Sequence, residues 1–277
     1  MLTQEQKQHY DEQGYVIFNE LFSLDMLVKV KIQAAKLVND WQDEDSSHTF
    51  STKDNDRSGN DFFLDSAEDI RCFFEEEAFD SKGQFVQDRA LCINKIGHAL
   101  HELDSVFKTF SHQSILGEIA QDLGLNKPQI RQSMYIYKQP NIGGEVHWHQ
   151  DASFFFTTPQ SVVTYWFAIE DATLENGCLW VEPQGHKGPL RERFNRDDST
   201  TTMQALNDQP WPVDKGIPVE VKAGSLIVFH GFLPHYSAPN RSPKSRQAYT
   251  LHVTDGCTEY ASQNWLQSKK LPLKGFV

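Results

Sequence analysis

The sequence predicts a mainly β fold with flanking helices, of the barrel or jelly-roll type. Residues 126–277 contain several short apolar segments separated by Gly, Pro, Asn and Asp turns, the pattern of strand-rich proteins. No helical segment follows each strand, which argues against a doubly wound parallel sheet. Helical periodicity dominates residues 1–125 instead. We therefore expect one domain over residues 1–277, in which helix-rich residues 1–125 pack on strand-rich residues 126–277.

The chain is expected to open with a helix, a strand and a second helix. Thr3 and Gln6 have the spacing of a capping box, and the first helix should end before Gly14. The residues Tyr15–Phe18 have the composition of a strand. Ser23 can cap the second helix, in which the apolar residues at helical spacing are Met26, Val30, Ala34, Leu37 and Val38.

Residues 43–61 are rich in Asp, Ser, Thr, Asn and Gly, and we expect a mobile surface loop there. The phenylalanines that follow are expected to pack in the core rather than to line a substrate entrance. Residues 93–123 carry helical periodicity that breaks near Phe110. Ser111 can cap a further helix there, which should stop at Gly124.

The periodicity of apolar residues changes after Pro128. Residues 129–138 alternate, which predicts a strand with Ile130, Gln132, Met134 and Ile136 on one face. Further strands are expected at 162–169, 178–181, 218–221, 226–230 and 247–253.

Composition excludes several classes of protein. The chain has 26 Lys and Arg against 38 Asp and Glu, a formal net charge of −12 that disfavours a nucleic-acid partner. No signal peptide is visible, and apolar runs such as 226–229 are far shorter than the roughly 20 residues that a membrane helix needs. The four cysteines match neither a zinc pattern nor a disulfide scaffold. We therefore expect a soluble cytoplasmic protein with reduced thiols and no membrane partner.

A short histidine and aspartate motif is the strongest chemical signal in the chain. Phosphate-binding loops, dinucleotide-binding loops, zincin motifs and hydrolase elbows are absent from the sequence. In the segment 143–151, His149 and Asp151 are two residues apart, so an extended chain would place them on one face, with His147 further along it. An imidazole and a carboxylate are two ligands of an open metal site, which needs a third ligand from elsewhere.

The third ligand is expected from a turn that carries His230 and His235. Arg246 follows His235 after eleven positions and opens another strand. Two histidines and one carboxylate occupy one face of an octahedral ferrous ion and leave three positions free for an α-keto acid and dioxygen. An arginine can clamp the distal carboxylate of such an acid with two parallel hydrogen bonds.

Other histidines are weaker candidates as ligands. His147 and His149 could bind metal together in a cupin, but that pattern needs a glutamate where Ser153 and Phe154 stand. His147 is therefore interpreted as a pocket or structural residue. The histidines interpreted as structural are His98, His101, His112, His186 and His252.

Two segments, 143–154 and 170–180, resemble the phytanoyl-CoA dioxygenase family. The resemblance extends over most of the chain, from Gly14 to Trp265. It implies a distorted double-stranded β-helix flanked by helices that binds Fe(II) and uses 2-oxoglutarate and O2 as co-substrates. The chain departs from the family pattern at residues 147 and 148, beside the expected site, where the difference could alter the choice of substrate.

The resemblance also implies roles for individual residues. The iron ligands would be His149, Asp151 and His235. Arg246, with Ser237, would hold the distal carboxylate of 2-oxoglutarate, and Lys95 would reach the other carboxylate. The residues expected to line that pocket are Met134 and Trp166, with Gln132 added because it shares the strand face of Met134.

The function that follows is hydroxylation of a C–H bond of a small molecule, with release of succinate and CO2. The primary substrate, including whether it is a coenzyme A ester, and the oligomeric state stay open. One alternative is a catalytically silent jelly-roll module that binds a metal or ligand. Another is a zinc hydrolase built on the same three ligands, which would leave Arg246 and Lys95 without a task.

Overall fold

The computed structural model describes residues 1–41, 49, 61–197 and 200–276. Apart from residues 49 and 61, the expected mobile loop at 43–61 lies outside this range. The strands are β1 (Tyr15–Phe18), β2 (Ile70–Phe74), β3 (Ile93–His98), β4 (Pro128–Lys138), β5 (Val146–His149), β6 (Thr157–Thr158), β7 (Val163–Ala168), β8 (Leu179–Val181), β9 (Glu192–Asp197), β10 (Thr200–Ala205), β11 (Ile217–Val219), β12 (Leu226–His230), β13 (His235–Ser237), β14 (Arg246–Asp255) and β15 (Glu259–Tyr260).

Two antiparallel sheets form the centre of the described structure. The larger has seven strands in the order β1-β12-β7-β14-β4-β3-β2, and the smaller has four in the order β11-β8-β13-β5. Two further pairs, β9 with β10 and β6 with β15, form short ribbons. Neighbours in the large sheet are mostly distant in sequence, as in a jelly roll, where successive strands alternate between two facing sheets.

The helices are α1 (Gln4–Gln13), α2 (Leu24–Asp40), α3 (Asp61–Asp65), α4 (Leu100–Leu103), α5 (Ser105–Ser111) and α6 (Ser114–Asp122). The capping box of Thr3 and Gln6 is present, and Ser23 accepts a hydrogen bond from the backbone N–H of Met26. Both caps are as predicted, because capping depends on residues only three positions apart. No helix among the described residues has the length and apolarity to cross a membrane.

Alternating side chains of β7 fill two different cores. Tyr165 and Phe167 belong to an apolar cluster with residues of α2, α5 and α6, on the helical side of the large sheet. Trp166 and Ala168 belong to a second cluster, which includes Leu179 and other residues of the small sheet. Each such aromatic side chain contributes about 1.5–3 kcal/mol on burial. The two sheets therefore pack face to face, and the prediction of a mainly β jelly roll with flanking helices is confirmed.

The prediction of a helix that starts at residue 93 is wrong. Ile93–His98 is the strand β3, which pairs with β2 and β4. Its last four residues are buried in succession, so both faces of the strand are covered. A strand buried on both faces lacks alternation, and its apolar spacing can imitate helical periodicity. Ser111 is the last residue of α5 rather than a cap, since α6 begins after Gln113.

A β-bulge in β4 decides which of its side chains reach the interior. Gln132 is paired with His252, whereas Ile130 is paired with the next residue, Val253. One extra residue in β4 therefore reverses the alternation. Met134 faces the interior pocket, whereas Ile130 packs in the helical-side core, so the prediction that they share a face is wrong for Ile130.

Candidate metal centre

The small sheet and the turn after β5 bring His149, Asp151 and His235 together. His149 ends β5, His235 begins β13, and the two residues are directly paired. The chain then turns through Gln150, whose buried side-chain amide donates to the carbonyl oxygen of Phe232 at 2.8 Å and accepts from the N–H of Arg191 at 2.9 Å. These contacts fix the turn that presents Asp151 beside the paired histidines.

The ligand atoms of these three side chains lie within 4.8 Å of one another, the arrangement of a metal centre. Oδ1 of Asp151 lies 3.5 Å from Nε2 of His149 and 3.7 Å from Nε2 of His235. Nδ1 of His149 donates to the carbonyl oxygen of His147 at 2.8 Å, and Nδ1 of His235 donates to that of Leu233 at 3.0 Å. Since Nδ1 carries the proton in both rings, both Nε2 lone pairs are free for a cation.

The protonation states suit a cation. Burial raises the pKa of Asp151, but the imidazoles of His235 and His252 outweigh it and hold the pKa well below its usual range. Burial, helped by the neighbouring His149, lowers the pKa of His235 to about 4. At neutral pH the centre therefore offers a carboxylate and a neutral imidazole, and two imidazoles with one carboxylate are the donor set that suits ferrous iron with open positions.

Two further residues hold the carboxylate of Asp151. Oδ2 accepts a hydrogen bond from Oγ1 of Thr164 at 2.5 Å and lies 3.4 Å from Nε2 of His252. Thr164 on β7 and His252 on β14 are directly paired. Neither role is apparent in the sequence, where His252 is interpreted only as structural, because the register that aligns the two residues exists only in the folded sheet.

A pocket of about 540 Å³ opens at the metal centre. All the other residues expected to bind 2-oxoglutarate line it as well, namely Lys95, Gln132, Met134, Trp166, Ser237 and Arg246. Lys95 comes from β3, and its Nζ lies 5.2 Å from the ring centroid of Phe73. The pocket therefore combines residues of both halves of the chain.

Arg246 is a buried cation with one unused donor. Its Nε donates to the carbonyl oxygen of Gly177, and its Nη2 donates to Oγ of Ser237, both at 3.2 Å. Nη1 is buried without a hydrogen-bond partner among the described residues. Burial lowers the pKa of Arg246 to about 10, which still leaves it charged at neutral pH. A buried cation with a free donor is suited to bind a carboxylate.

Two buried charged residues, Glu75 and Lys138, support the site through Gly144. Glu75 Oε2 accepts from the N–H of Gly144 at 3.0 Å, and Nζ of Lys138 donates to the carbonyl oxygen of the same Gly144. Lys138 also donates to the carbonyl oxygen of Ser237 at 3.2 Å. Gly144 lies just before β5, so this pair fastens the approach to His149 as well as the strand of Ser237.

Other candidates lie outside the metal group. His230 is not among the clustered ligand atoms, and its Nδ1 accepts a hydrogen bond from the N–H of Phe232 at 3.0 Å. His147 lines the pocket, with Nδ1 3.8 Å from Glu145. His147 is a pocket residue, as predicted, and of the two histidines in the downstream turn only His235 reaches the centre.

The fold is shared with solved structures. One is EctD from S. alaskensis with 2-oxoglutarate and 5-hydroxyectoine, with a TM-score of 0.66, 19% identity and coverage of 98% of this chain and 82% of that one. Another is the epimerase SnoN in complex with Fe3+, alpha ketoglutarate and nogalamycin RO, with a TM-score of 0.65, 14% identity and coverage of 99% and 94%.

Similarity to two curated proteins is stronger. The phytanoyl-CoA dioxygenase of Arabidopsis thaliana is 45% identical over 276 residues, which cover 98% of this chain and 95% of the relative. The phytanoyl-CoA dioxygenase domain-containing protein 1 of Mus musculus is 38% identical, with coverage of 96% and 95%. The family model described as phytanoyl-CoA dioxygenase (PhyH) matches residues 10–248. The chain therefore belongs to the phytanoyl-CoA dioxygenase family.

Proposed function

We propose that this protein is an Fe(II)- and 2-oxoglutarate-dependent dioxygenase. It would hydroxylate a C–H bond of a small-molecule substrate and release succinate and CO2. One observation carries the proposal: the cluster of His149, Asp151 and His235 opens into the same pocket as the buried, incompletely paired Arg246. A metal site alone would not need the arginine, and an anion site alone would not need the cluster of two histidines and an aspartate.

Three side chains would hold the iron: Nε2 of His149, Nε2 of His235 and Oδ1 of Asp151. When bound, iron and 2-oxoglutarate supply the activation of dioxygen, a chemistry that amino-acid side chains lack. The chain contributes position, because the paired strands fix both imidazoles and Thr164 fixes the carboxylate. Burial of Asp151 and His235 also keeps bulk water from these ligands.

Arg246 and Ser237 would hold the distal carboxylate of 2-oxoglutarate. The guanidinium is already oriented by Gly177 and Ser237, so little side-chain entropy is lost when the carboxylate binds. Lys95 is only 4% exposed and lines the same pocket, and we assign it to the other carboxylate. Met134 and Trp166 supply apolar walls, and Gln132 adds an amide on the strand face of Met134.

The solved structures support this assignment by analogy. The structures of EctD and SnoN contain 2-oxoglutarate and alpha ketoglutarate respectively, and that of SnoN also contains Fe3+. The named activity of the family relatives is that of a dioxygenase. Their substrate does not transfer with the fold, since one fold hosts many substrates.

Succinate formation tests the proposal directly. The full chain would be reconstituted with Fe(II), ascorbate and 2-oxoglutarate in air, and succinate measured by mass spectrometry with the primary substrate absent. We expect slow uncoupled succinate release that His149→Ala and Asp151→Ala abolish. Asp197→Ala, an exposed position at the end of β9, is the matched control.

The outcomes separate the alternatives. Iron binding without succinate under any condition would favour the silent module over the dioxygenase. Retained succinate release in Asp151→Ala would remove the role of that carboxylate. Activity that needs Zn(II) but not dioxygen would favour the hydrolase. A mass-spectrometric screen for products with one added oxygen atom would then find the substrate.

Two wider predictions belong to this proposal. We propose a single domain over residues 1–277, supported by the three strands that residues 1–125 contribute to the large sheet. We also propose a cytoplasmic location, supported by four free cysteines, of which Cys72, Cys92 and Cys178 are buried. Limited proteolysis and fractionation of cells would test them.

A further inference from the structure

The pocket extends beyond the metal centre and the residues assigned to 2-oxoglutarate. Its volume of about 540 Å³ lies within the range of about 300–1,000 Å³ that is usual for pockets of drug-sized ligands. We call one part of the remaining region the outer pocket, and define it by Phe154, Glu192, Met203, Trp211 and Val213. The Phe154 ring lies 6.2 Å from the His149 ring, so the outer pocket adjoins the metal centre.

The outer pocket is apolar except for one carboxylate. Glu192 is the first residue of β9, and Phe194, two residues on, is buried against Phe154 with ring centroids 5.6 Å apart. Residues two apart on a strand share a face, which agrees with Glu192 lining the pocket. The carboxylate of Glu192 has no hydrogen bond or ion pair within the described ranges. Burial raises the pKa of Glu192, and the nearby His149 opposes that rise.

The neighbouring cations do not neutralise Glu192. Nη2 of Arg191 pairs with Glu182 at 3.0 Å, and its guanidinium lies 4.8 Å from the Trp211 ring centroid. The guanidinium of Arg193 lies 4.3 Å from the Phe156 ring centroid. Neither arginine lines the pocket. Nε and Nη1 of Arg191 and Nε of Arg193 are buried without a hydrogen-bond partner. Within the described residues, however, neither guanidinium forms an ion pair with Glu192, so its carboxylate is left for a ligand.

The cations that do line the pocket serve its inner region. Among the described residues these are Lys95 and Arg246. Under the proposed function, both are matched by the two carboxylates of 2-oxoglutarate. A second anion, such as a carboxylate or the phosphates of coenzyme A, would therefore find no described cation on the pocket wall and would meet the charge of Glu192.

We infer that the primary substrate is a small molecule with a cationic nitrogen that pairs with Glu192 and an apolar body that packs on the rings of the outer pocket. This inference rests on the proposed function and names the substrate class of the same site. An ammonium group gains a charge-assisted hydrogen bond from the carboxylate. It gains further from the face of a nearby aromatic ring such as Phe154.

A matched series of ligands with one alkyl chain tests the charge preference. Hexylamine, hexanol and hexanoate would be titrated into the full chain loaded with Mn(II) and 2-oxoglutarate, with the quenching of tryptophan fluorescence as readout. We expect hexylammonium to bind at least about tenfold more tightly than hexanoate, with hexanol between them. Glu192→Gln should remove the difference, and Glu192→Lys should reverse it.

Asp197→Asn is the matched control, because it removes an acid from the exposed end of the same strand. Circular dichroism melting would verify that the variants are folded. Tighter binding of hexanoate or coenzyme A to the wild type, or an unchanged preference in Glu192→Gln, would overturn the inference. Failure of the proposed function would appear separately, as absence of succinate from the wild type, whatever the order of ligand affinities.

Discussion

Nε2 of His252 lies 3.4 Å from Oδ2 of Asp151, whereas the other carboxylate oxygen, Oδ1, lies 3.5 Å from Nε2 of His149. The two oxygens of this carboxylate therefore have different roles. Oδ1 is left to the metal centre, and Oδ2 is anchored by His252 and by Thr164 on the neighbouring strand. Such anchoring sets the orientation of a ligand and therefore its affinity for metal.

Thr164→Val should weaken metal binding. The valine keeps the shape but removes the hydroxyl that donates to Oδ2 of Asp151 at 2.5 Å. We expect about a 10- to 100-fold loss of affinity for Mn(II), measured by electron paramagnetic resonance titration of the full chain. Thr109→Val is the control, since that hydroxyl is exposed and bonds only within α5. Equal affinities in both variants would contradict the anchoring role.

Arg246→Gln should impair binding of 2-oxoglutarate far more than binding of metal. The guanidinium is buried and holds an unpaired Nη1. Loss of one partner of a buried charge pair costs about 2–5 kcal/mol, so KM for 2-oxoglutarate should rise about 30-fold or more. A saturating concentration of 2-oxoglutarate should raise the Tm of the wild type by about 5 °C or more and leave this variant nearly unchanged.

The control for this variant is Arg241→Gln, which breaks an exposed ion pair with Glu77. It should leave KM and the Tm shift as in the wild type, because exposed pairs contribute little. If Arg246→Gln responded to 2-oxoglutarate as the wild type does, the carboxylate clamp would have to lie elsewhere.

Gly177→Ala should disturb the same clamp through the backbone. Gly177 has a φ of +86°, and an added Cβ would lie 2.7 Å from the carbonyl oxygen of Ala238 and 2.8 Å from Cδ of Lys138. Its carbonyl oxygen accepts from Arg246 and from Ser237. We expect a loss of about 1–3 kcal/mol in the free energy of unfolding and a raised KM for 2-oxoglutarate.

Gly83→Ala is the control that introduces backbone strain without the steric crowding expected in Gly177→Ala. Gly83 also has a positive φ, +75°, but an added Cβ there would meet nothing within 4 Å. This variant should lose stability, measured by urea unfolding, without any change in KM. If KM for 2-oxoglutarate were the same in Gly177→Ala as in Gly83→Ala, the carbonyl of Gly177 would not orient Arg246.

His230 should make stability depend on pH. Burial, followed by repulsion from His186, lowers its pKa from the ordinary value of 6.5 to about 4, and its Nδ1 accepts a backbone hydrogen bond. The stabilisation is therefore fully present above about pH 6.5 and is lost as the pH falls towards 4. The slope is up to about 1.4 kcal/mol per pH unit.

His230→Asn keeps an acceptor atom but does not titrate in this range. Urea unfolding of the metal-free wild type and of the variant should show the wild type losing stability relative to the variant between pH 7 and pH 5. A difference in the free energy of unfolding that stays constant with pH would mean that His230 is protonated alike in both states.

Sequence reasoning succeeded where contacts are local. The caps at Thr3 and Ser23 and the proximity of His149 to Asp151 depend on residues within a few positions. Recognition of the family from its segments supplied His235, and the structure places it at the centre. The roles assigned to all the site residues, in binding iron as well as 2-oxoglutarate, stay predictions.

Prediction from the sequence failed where tertiary packing overrides a local pattern. β3 has apolar spacing that imitates a helix because the sheet covers both of its faces. Ile130 faces the opposite side of the sheet from Met134 because of a β-bulge in β4. That bulge shows only in the pairing of β4 with β14. Thr164 and His252 become neighbours only through the register of β7 and β14, and the sequence does not display that register.

The position of β3 beside β4 has a consequence for shortened forms of the chain. β4 is eleven residues long, and β3 pairs with its outer edge. A fragment that starts after residue 125 would keep all three candidate metal ligands but expose this edge, with its unpaired peptide groups, to solvent. Exposed edges of this kind recruit strands from other copies and lead to aggregation. Loss of the helix-rich residues would therefore cost solubility before it cost metal binding.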